Sequence, residues 1–129
     1  MQSVYEFIKA CGTYFIASAE GEQPRVRPFG TINIFEGKLY VQTGRKKPCY
    51  KQFKDRKVEL CCFNGKEWLR LAGTLVEDPR VEAEQAMLDA YPSLQGMYTA
   101  GDGNTAVLYF KDAVATFSSF TAGPREVRF

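Results

Sequence analysis

The sequence predicts a mainly β protein, a small β-barrel with short attached helices, forming a single domain over residues 1–129. About seven segments rich in β-formers alternate with turn residues, and helical periodicity is confined to short segments. A chain of 129 residues can bury one hydrophobic core but has no room for a second. These observations favour antiparallel hairpins over parallel strands joined by long helices.

Three short helices are expected between the strands. Ser3 and Glu6 match a capping box, which predicts an N-terminal helix, and Gly12 is the residue type that ends one. A second, basic helix is predicted to begin at Pro48, because proline fits the first helical position. An apolar stripe at helical spacing predicts a third helix that ends before Pro92.

The strands are expected at 13–19, 24–35, 38–43, 58–63, 67–76, 105–110 and 113–120, with a last short strand within 123–129. Glu36-Gly37 is typical of a tight hairpin, and Asn64-Gly65 is typical of a type I′ turn. Pro28 limits the pairing of the second strand, so this strand is predicted at an edge or beside a bulge.

Composition excludes several classes of protein and of site. The net charge of +2 is too small to indicate a nucleic acid or an acidic membrane as the partner. No apolar run is long enough for a transmembrane helix, and the N-terminus lacks the pattern of a secretory signal. The four cysteines contain no CxxC spacing and are interpreted as reduced thiols in a cytoplasmic protein. The chain has no histidine, which excludes imidazole-based catalysis, and no metal site is expected.

The most informative stretch for function is 38–54, where a short strand leads through a turn into the basic helix. Lys46 and Lys47 lie at the start of this helix beside free backbone N–H groups, which is a favourable setting for a phosphate. Arg25 and Arg27 lie on the adjacent hairpin strand and could add guanidinium groups. On these residues alone, an anion site and a solvated basic turn remain alternatives.

Two further side chains have open interpretations. Trp68, the single tryptophan, could fill the barrel core or form an aromatic wall for a flat ligand. Cys49 lies in the first turn of the basic helix, where a redox role is an alternative to a structural one. Cys61 and Cys62 alternate along an apolar strand and are interpreted as core residues.

Segments 24–29, 39–44, 46–53 and 57–60, in this order and spacing, resemble the pyridoxamine 5′-phosphate oxidase-like FMN-binding split-barrel proteins. The resemblance extends over most of the chain, from Phe7 to about Ser118. It implies a six-stranded Greek-key split barrel, a homodimer, and FMN bound at the interface between the subunits.

The resemblance also implies three groups of cofactor-binding residues. Those along the flavin ring and ribityl chain are Arg25, Val26, Arg27 and Pro28. Those that touch the isoalloxazine are Gln42 and Thr43, with Trp68 at the position of a polar ring contact. Those that clamp the phosphate are Lys46 and Lys47, extended by Tyr50, Lys51 and Gln52.

Departures from the family pattern limit the function that is expected. The C-terminal substrate-binding segment of the oxidase is not recognisable in 120–129, so true pyridoxamine 5′-phosphate oxidase activity is not expected. The nitroimidazole-resistance members of the family use a histidine, which this chain lacks. Two hypotheses remain. One is an FMN-dependent oxidoreductase that acts between a small-molecule electron donor and acceptor, with unassigned catalytic residues. The other is a non-catalytic module that sequesters FMN or haem, although haem ligands are usually His, Cys, Tyr or Met.

Overall fold

The computed structural model describes all 129 residues and confirms a mainly antiparallel β structure with short helices. The helices are α1 (Gln2–Cys11), α2 (Pro48–Phe53) and α3 (Val81–Ala90), with a 3₁₀ turn at Pro92–Gly96. The strands are β1 (Tyr14–Glu20), β2 (Gln23–Phe29), β3 (Asn33–Phe35), β4 (Lys38–Gly44), β5 (Arg56–Phe63), β6 (Glu67–Asp78), β7 (Thr105–Ser119) and β8 (Arg125–Arg128). None of the helices has the length and apolarity needed to cross a membrane.

The strands form one sheet in the order β2-β1-β5-β6-β7-β4-β3, and β8 pairs with the second half of β7. Several neighbours, such as β1 with β5 and β4 with β7, are distant in sequence, as a Greek-key connection requires. Strand β2 pairs with β1 alone and is therefore an edge strand, as Pro28 predicted.

A large apolar cluster fills the barrel and a smaller one lies outside it. The inner cluster contains Leu69 and Leu71 of β6, and Val4 and Ile8 of α1 cover it. The outer cluster joins Tyr40 and Val107 to residues of α3. Strand β4 is buried on both faces because alternate residues enter the two clusters, which fixes the end of β4 and the loop that follows it.

Two strand predictions were wrong in their boundaries. The predicted strand 24–35 is interrupted at 30–32, so that β2 and β3 are separate. The predicted strands 105–110 and 113–120 are one continuous strand, β7, in which Asp112 takes a φ of 54°. An extra residue in β7 opposite Gly73 forms a bulge, so the turn-like Lys111-Asp112 pair bends the strand without ending it. A Cβ at Gly73 would lie 3.1 Å from the ring of Phe110, which explains the glycine.

Two local predictions also need correction. Ser3 lies inside α1, whose N-cap is Met1, so the capping box does not form, although Gly12 ends the helix with a φ of 77°. In the β5–β6 hairpin, Gly65 alone takes a positive φ, whereas a type I′ turn requires it at both central residues. The Asn64 side chain instead accepts hydrogen bonds from the backbone N–H groups of Lys66 and Glu67, which holds this turn.

Candidate functional site

The predicted basic stretch forms one wall of a cleft of about 570 Å³. The loop 45–47 and helix α2 make this wall, and the β1–β2 turn at Glu20 and Gly21 lies opposite. A second cleft of about 460 Å³ shares Glu20, Lys47, Pro48 and Gln52 with the first. We call the first the basic cleft and the second the strand cleft, because the latter extends along β2 to Arg25 and Arg27.

Contacts on both sides of the loop fix its position. The backbone N–H of Arg45 donates to the carbonyl of Asn104 over 2.6 Å, and that of Lys47 donates to the carbonyl of Gly44 over 3.0 Å. Gly44 is closely packed, since a Cβ there would lie 3.1 Å from the Tyr98 hydroxyl. As predicted, α2 begins with Pro48 at its first position. The loop therefore presents its lysines from a rigid base.

The first cation of the loop turns away from solvent and into a cluster of carboxylates. The guanidinium of Arg45 lies 2.6 Å from Glu77 on β6 and 3.6 Å from Glu84 on α3. Glu77 also accepts a 2.6 Å hydrogen bond from the Tyr50 hydroxyl, and Lys54 lies 3.7 Å from it. Burial, together with this bond to Glu77, raises the pKa of Tyr50. We call these five residues the Glu77 network.

The other cations of the basic cleft have no partner. Lys46, Lys47, Lys51 and Arg56 are exposed and form no salt bridge. The one carboxylate in the lining, Glu20, is already paired with Arg25 over 2.9 Å. The basic cleft thus carries unneutralised positive charge, which favours binding of an anion.

Arg27 adds a cation that is held in place but not neutralised. Its guanidinium donates to the hydroxyl of Ser18 over 2.8 Å and to the side-chain oxygen of Gln52 over 2.6 Å. These acceptors are neutral, and the guanidinium also lies 5.1 Å from the ring centroid of Phe53. Neighbouring neutral dipoles fix the orientation of Arg27 while its charge stays available at the strand cleft.

Several predicted site residues do not line either cleft. Gln42 and Thr43 are buried, and the Thr43 hydroxyl contacts the Cys49 sulfur at 3.4 Å inside the barrel. The Gln42 side-chain nitrogen is buried without a partner. Val26 points outward from β2 and is exposed, as is Pro28. Tyr50 is engaged by Glu77 beneath the loop. In one chain, the clefts therefore bring together Arg25, Arg27, Lys46, Lys47, Lys51 and Gln52 of the predicted set.

Trp68 lies on the outer surface of the sheet, so of its two interpretations the one in which it fills the barrel core is wrong. Its ring packs 5.0 Å from that of Phe120, and its indole N–H is buried without a partner. Phe15 and Phe63 lie on the same outer face, with 52% and 56% of their surface exposed, and Phe120 is 83% exposed. We call these four residues the aromatic patch; its three phenylalanines are largely exposed and Trp68 is partly buried.

Three residues at or beside the clefts escaped sequence reasoning because they come from other segments. Glu20 holds Arg25 and Arg56 adds a cation to the basic cleft, while Ser18, which lines neither cleft, orients Arg27. The sequence pattern carried no sign of their proximity to α2. The carboxylates of Glu77 and Glu84 were missed for the same reason.

Comparison with solved structures identifies the fold. A protein related to general stress protein 26, of the pyridoxinephosphate oxidase family, from Clostridium acetobutylicum superposes with a TM-score of 0.67 at 14% identity, covering 99% of this chain and 92% of that one. The FAD and heme binding protein of Mycobacterium smegmatis gives 0.69 at 12% identity, covering 99% and 81%. The fold is therefore the split barrel of the pyridoxamine 5′-phosphate oxidase-like proteins, as the sequence predicted.

A much more similar structure defines the family. A NimC/NimA family protein from Clostridium acetobutylicum is 42% identical, with a TM-score of 0.95, covering 100% of this chain and 92% of that one. The chain belongs to the NimC/NimA family. No protein-family model and no curated protein sequence matches it.

Proposed function

We propose that the protein binds FMN, with the phosphate in the basic cleft and the flavin along β2. The observation that carries this proposal is the set of unpaired cations at Lys46, Lys47 and Lys51, adjoining the oriented but unneutralised Arg27. A phosphate monoester carries about −1.5 to −2 charges at pH 7 and accepts charge-assisted hydrogen bonds, so this end of the site fits it.

One chain alone lacks the apolar contacts that a flavin ring needs in its binding site. Only 1 of the 10 residues that line the basic cleft is hydrophobic, and only 1 of the 7 that line the strand cleft. A flavin ring needs apolar or aromatic contacts, as small-molecule sites generally provide. We propose that a second copy of the chain supplies them in a homodimer.

The aromatic patch supports this arrangement. Contiguous exposed aromatic side chains are typical of an interaction surface. Strand alternation places Phe15, Ala17 and Ala19 on one side of β1, and Ala19 lines the basic cleft. The patch and the cleft are thus connected along one strand. We propose that a second copy of the chain packs symmetrically on this face.

The similar structures support a flavin as the guest. The protein from Mycobacterium smegmatis is named for binding FAD and heme, and this chain shares its fold. Among flavins, FMN has a single phosphate at the end of its ribityl chain. If the flavin lies in the strand cleft, this phosphate would lie at the loop 45–47.

We propose an oxidoreductase that passes electrons between a small-molecule donor and acceptor. FMN supplies the electron or hydride transfer when it is bound. The residues of this chain would bind the phosphate and orient the ring beside Arg27, and the second copy would complete the enclosure of the ring. Protons would come from water or from a lysine of the cleft, because the chain has no histidine and Glu20 is held by Arg25.

The clefts contain no histidine, and their one carboxylate, Glu20, is paired with Arg25. This favours a second candidate, a non-catalytic protein that sequesters FMN. Anaerobic mixing of the FMN-loaded protein with NADH or NADPH, followed by a quinone or a nitro compound, separates the two. Bleaching and recovery of the flavin absorbance supports the oxidoreductase. No bleaching with any reductant supports sequestration.

The phosphate assignment is tested by Lys47→Glu. We expect FMN affinity to fall about 100-fold or more, because a charge-assisted contact is replaced by a repulsive one. Affinity for riboflavin, which lacks the phosphate, should change little. Fluorescence titration measures both ligands. Lys66→Glu is the matched control, since Lys66 is an exposed lysine of the β5–β6 turn and lines neither cleft.

Equal FMN affinity in Lys47→Glu and the native protein would contradict the phosphate assignment. Light scattering of the FMN-loaded protein tests the homodimer, and a monomer that retains FMN would contradict it. Trp68→Ala should weaken both FMN binding and dimerisation if the aromatic patch completes the site.

A further inference from the structure

The hydrogen bonds of Arg27 occupy one edge of its guanidinium and leave another edge free. Nη1 donates to the Ser18 hydroxyl over 2.8 Å, and Nη2 donates to the side-chain oxygen of Gln52 over 2.6 Å. The Ser18 hydroxyl in turn donates to the same Gln52 oxygen over 2.7 Å. These three hydrogen bonds close a ring, in which both acceptors face the end of the guanidinium between its two terminal nitrogens.

The side edge of this guanidinium, formed by Nε–H and the second N–H of Nη2, takes part in none of its hydrogen bonds, since Nη1 also donates to the Ile16 carbonyl over 3.3 Å. Two other arginines show what such an edge binds. Arg80 holds the Asp78 carboxylate through Nε and Nη2, over 3.0 and 2.9 Å. Arg25 holds Glu20 through the same two nitrogens. The free edge is therefore a fork of two parallel donors that fits a pair of acceptors.

Ser18 holds this geometry from outside the clefts. It is 7% exposed and lines neither cleft, whereas Arg27 lines the strand cleft and Gln52 lines both. Ile16, two residues earlier on the same face of β1, belongs to the apolar core. A hydroxyl at such a buried position needs hydrogen-bond partners, and both of its partners are side chains of the candidate site.

We propose that Ser18 is a positioning residue of the flavin site, which fixes the Arg27 guanidinium so that its free edge meets a pair of acceptors on the flavin ring. This inference rests on the proposed function and extends it. The pyrimidine part of an oxidised flavin has carbonyl oxygens beside ring nitrogens that carry no hydrogen, which is the acceptor pattern that the fork fits. The partner is the ring and not the phosphate, because Arg27 lines the strand cleft and not the basic cleft.

A charge that is fixed beside the ring without a counter-ion also tunes the cofactor. The guanidinium of Arg27 would stabilise the negative charge that reduction places on the pyrimidine part of a flavin. Its acceptors in the chain, Ser18 and Gln52, are neutral and leave this charge uncompensated. We therefore expect loss of the Ser18 hydroxyl to weaken flavin binding and to make the reduction potential of the bound flavin more negative.

Fluorescence titration with FMN and with riboflavin tests the proposal on Ser18→Ala, Ser18→Thr, Arg27→Gln and the double variant of Ser18→Ala with Arg27→Gln. Ser18→Ala should weaken both flavins by about fivefold, because the orienting hydrogen bond is lost and the phosphate contacts are unchanged. Ser18→Thr keeps a hydroxyl and should bind both flavins within about twofold of the native protein. In the Arg27→Gln background, Ser18→Ala should cause little further loss, because Ser18 acts through Arg27.

Thr74→Ala is the matched control, since it removes a half-buried strand hydroxyl that lines neither cleft. It should change the affinity for neither flavin. Reductive titration of the flavin-loaded proteins with dithionite and a reference dye measures the reduction potential. The potential should be more negative in Ser18→Ala than in the native protein, Ser18→Thr and Thr74→Ala.

The outcomes separate this inference from the proposed function. If Ser18→Ala lowers the free energy of unfolding but leaves flavin affinity and potential unchanged, Ser18 is only structural, and the inference fails while the FMN site stands. A loss for FMN without a loss for riboflavin would place the fork at the phosphate and overturn its assignment to the ring. An undiminished loss in the Arg27→Gln background would show that Ser18 does not act through Arg27. If the native protein binds neither flavin, the proposed function fails and this inference fails with it.

Discussion

The Glu77 network and the basic cleft use neighbouring cations of one loop for different purposes. Arg45 is 26% exposed and reaches two carboxylates, and Glu77 itself is 9% exposed. Lys46 and Lys47 are exposed and reach none. A charge that is buried with its partner fixes the position of the loop, and removal of the partner is costly. An exposed, unpaired charge adds little to stability and stays free to bind a ligand.

The comparison shows that a run of basic residues is not a single functional unit. Arg45, Lys46 and Lys47 look alike in sequence, but β6 and α3 supply carboxylates to the first alone. Arg25 and Arg27 divide in the same way, because Glu20 pairs with Arg25 while Arg27 meets neutral acceptors. Which cations can bind an anion is decided by residues far away in the chain.

The largest effect is expected from removing the charge of the Glu77 network. Glu77→Gln leaves Arg45 and Tyr50 without their carboxylate in a partly buried setting. We expect a loss of about 3 kcal/mol in the free energy of unfolding, near the lower end for a broken buried pair because Arg45 keeps some exposure to water. Urea denaturation measures this loss.

The control is Glu82→Gln, at an exposed glutamate in the first turn of α3 that forms no salt bridge. Its expected cost is below about 1 kcal/mol, from the helix dipole alone. An equal loss in the free energy of unfolding for Glu77→Gln and Glu82→Gln would show that the Glu77 network does not stabilise the loop.

A second paired charge, Asp78, is expected to lose its contribution in acid. Its hydrogen bonds with the Arg80 side chain lower the pKa of Asp78 to about 2, against the opposing effect of burial, and the Tyr40 hydroxyl adds a 2.8 Å hydrogen bond. Because the folded-state pKa lies below the ordinary value of 3.8, the stabilisation is complete above about pH 5. It should decline as the pH falls from about 4 to about 2, by about 2 kcal/mol in total.

Denaturation of the native protein and of Asp78→Asn at pH 6 and pH 2 tests this. The two proteins should differ at the higher pH and converge at the lower one. A difference of the same size at both pH values would show that the ionised form of Asp78 is not what stabilises the fold.

Much of the fold could be predicted because hairpins, caps and alternation are encoded locally. Gly12, Glu36-Gly37 and Pro48 each specify a local backbone geometry, and the structure has a helix end, a turn and a helix start there. The Lys111-Asp112 pair was wrongly predicted to be a turn between two strands. Its turn-like residues form a bulge within β7, opposite Gly73 of β6. That pairing is a long-range property and leaves no local signal.

The candidate site was predictable only in part, for the same physical reason. Its helix start and two lysines are contiguous in sequence. Glu20 and Arg56 reach the basic cleft, and Ser18 reaches Arg27, from other strands of the sheet. Trp68 and Gln42 lie in register with Ser118 and Val107 of β7, which are 11 residues apart along that strand. The family resemblance assigned both to one cofactor site, but neither lines a cleft of the single chain.

The smallest effects, and the sharpest test of the comparison, come from the two arginines of β2. Arg25→Gln removes an ion pair whose side chains are both about half exposed, so we expect a change in unfolding free energy within about 0.5 kcal/mol. Arg27→Gln removes the bonds to Ser18 and Gln52, which are buried, and should cost about 1 to 2 kcal/mol. FMN affinity should fall by about tenfold in Arg27→Gln and much less in Arg25→Gln, because only Arg27 offers an unneutralised charge. Urea denaturation and FMN titration of both variants measure these effects. If FMN affinity falls more in Arg25→Gln than in Arg27→Gln, Glu20 must release Arg25 when the ligand binds. The division between paired and free cations would then hold only for the unliganded chain.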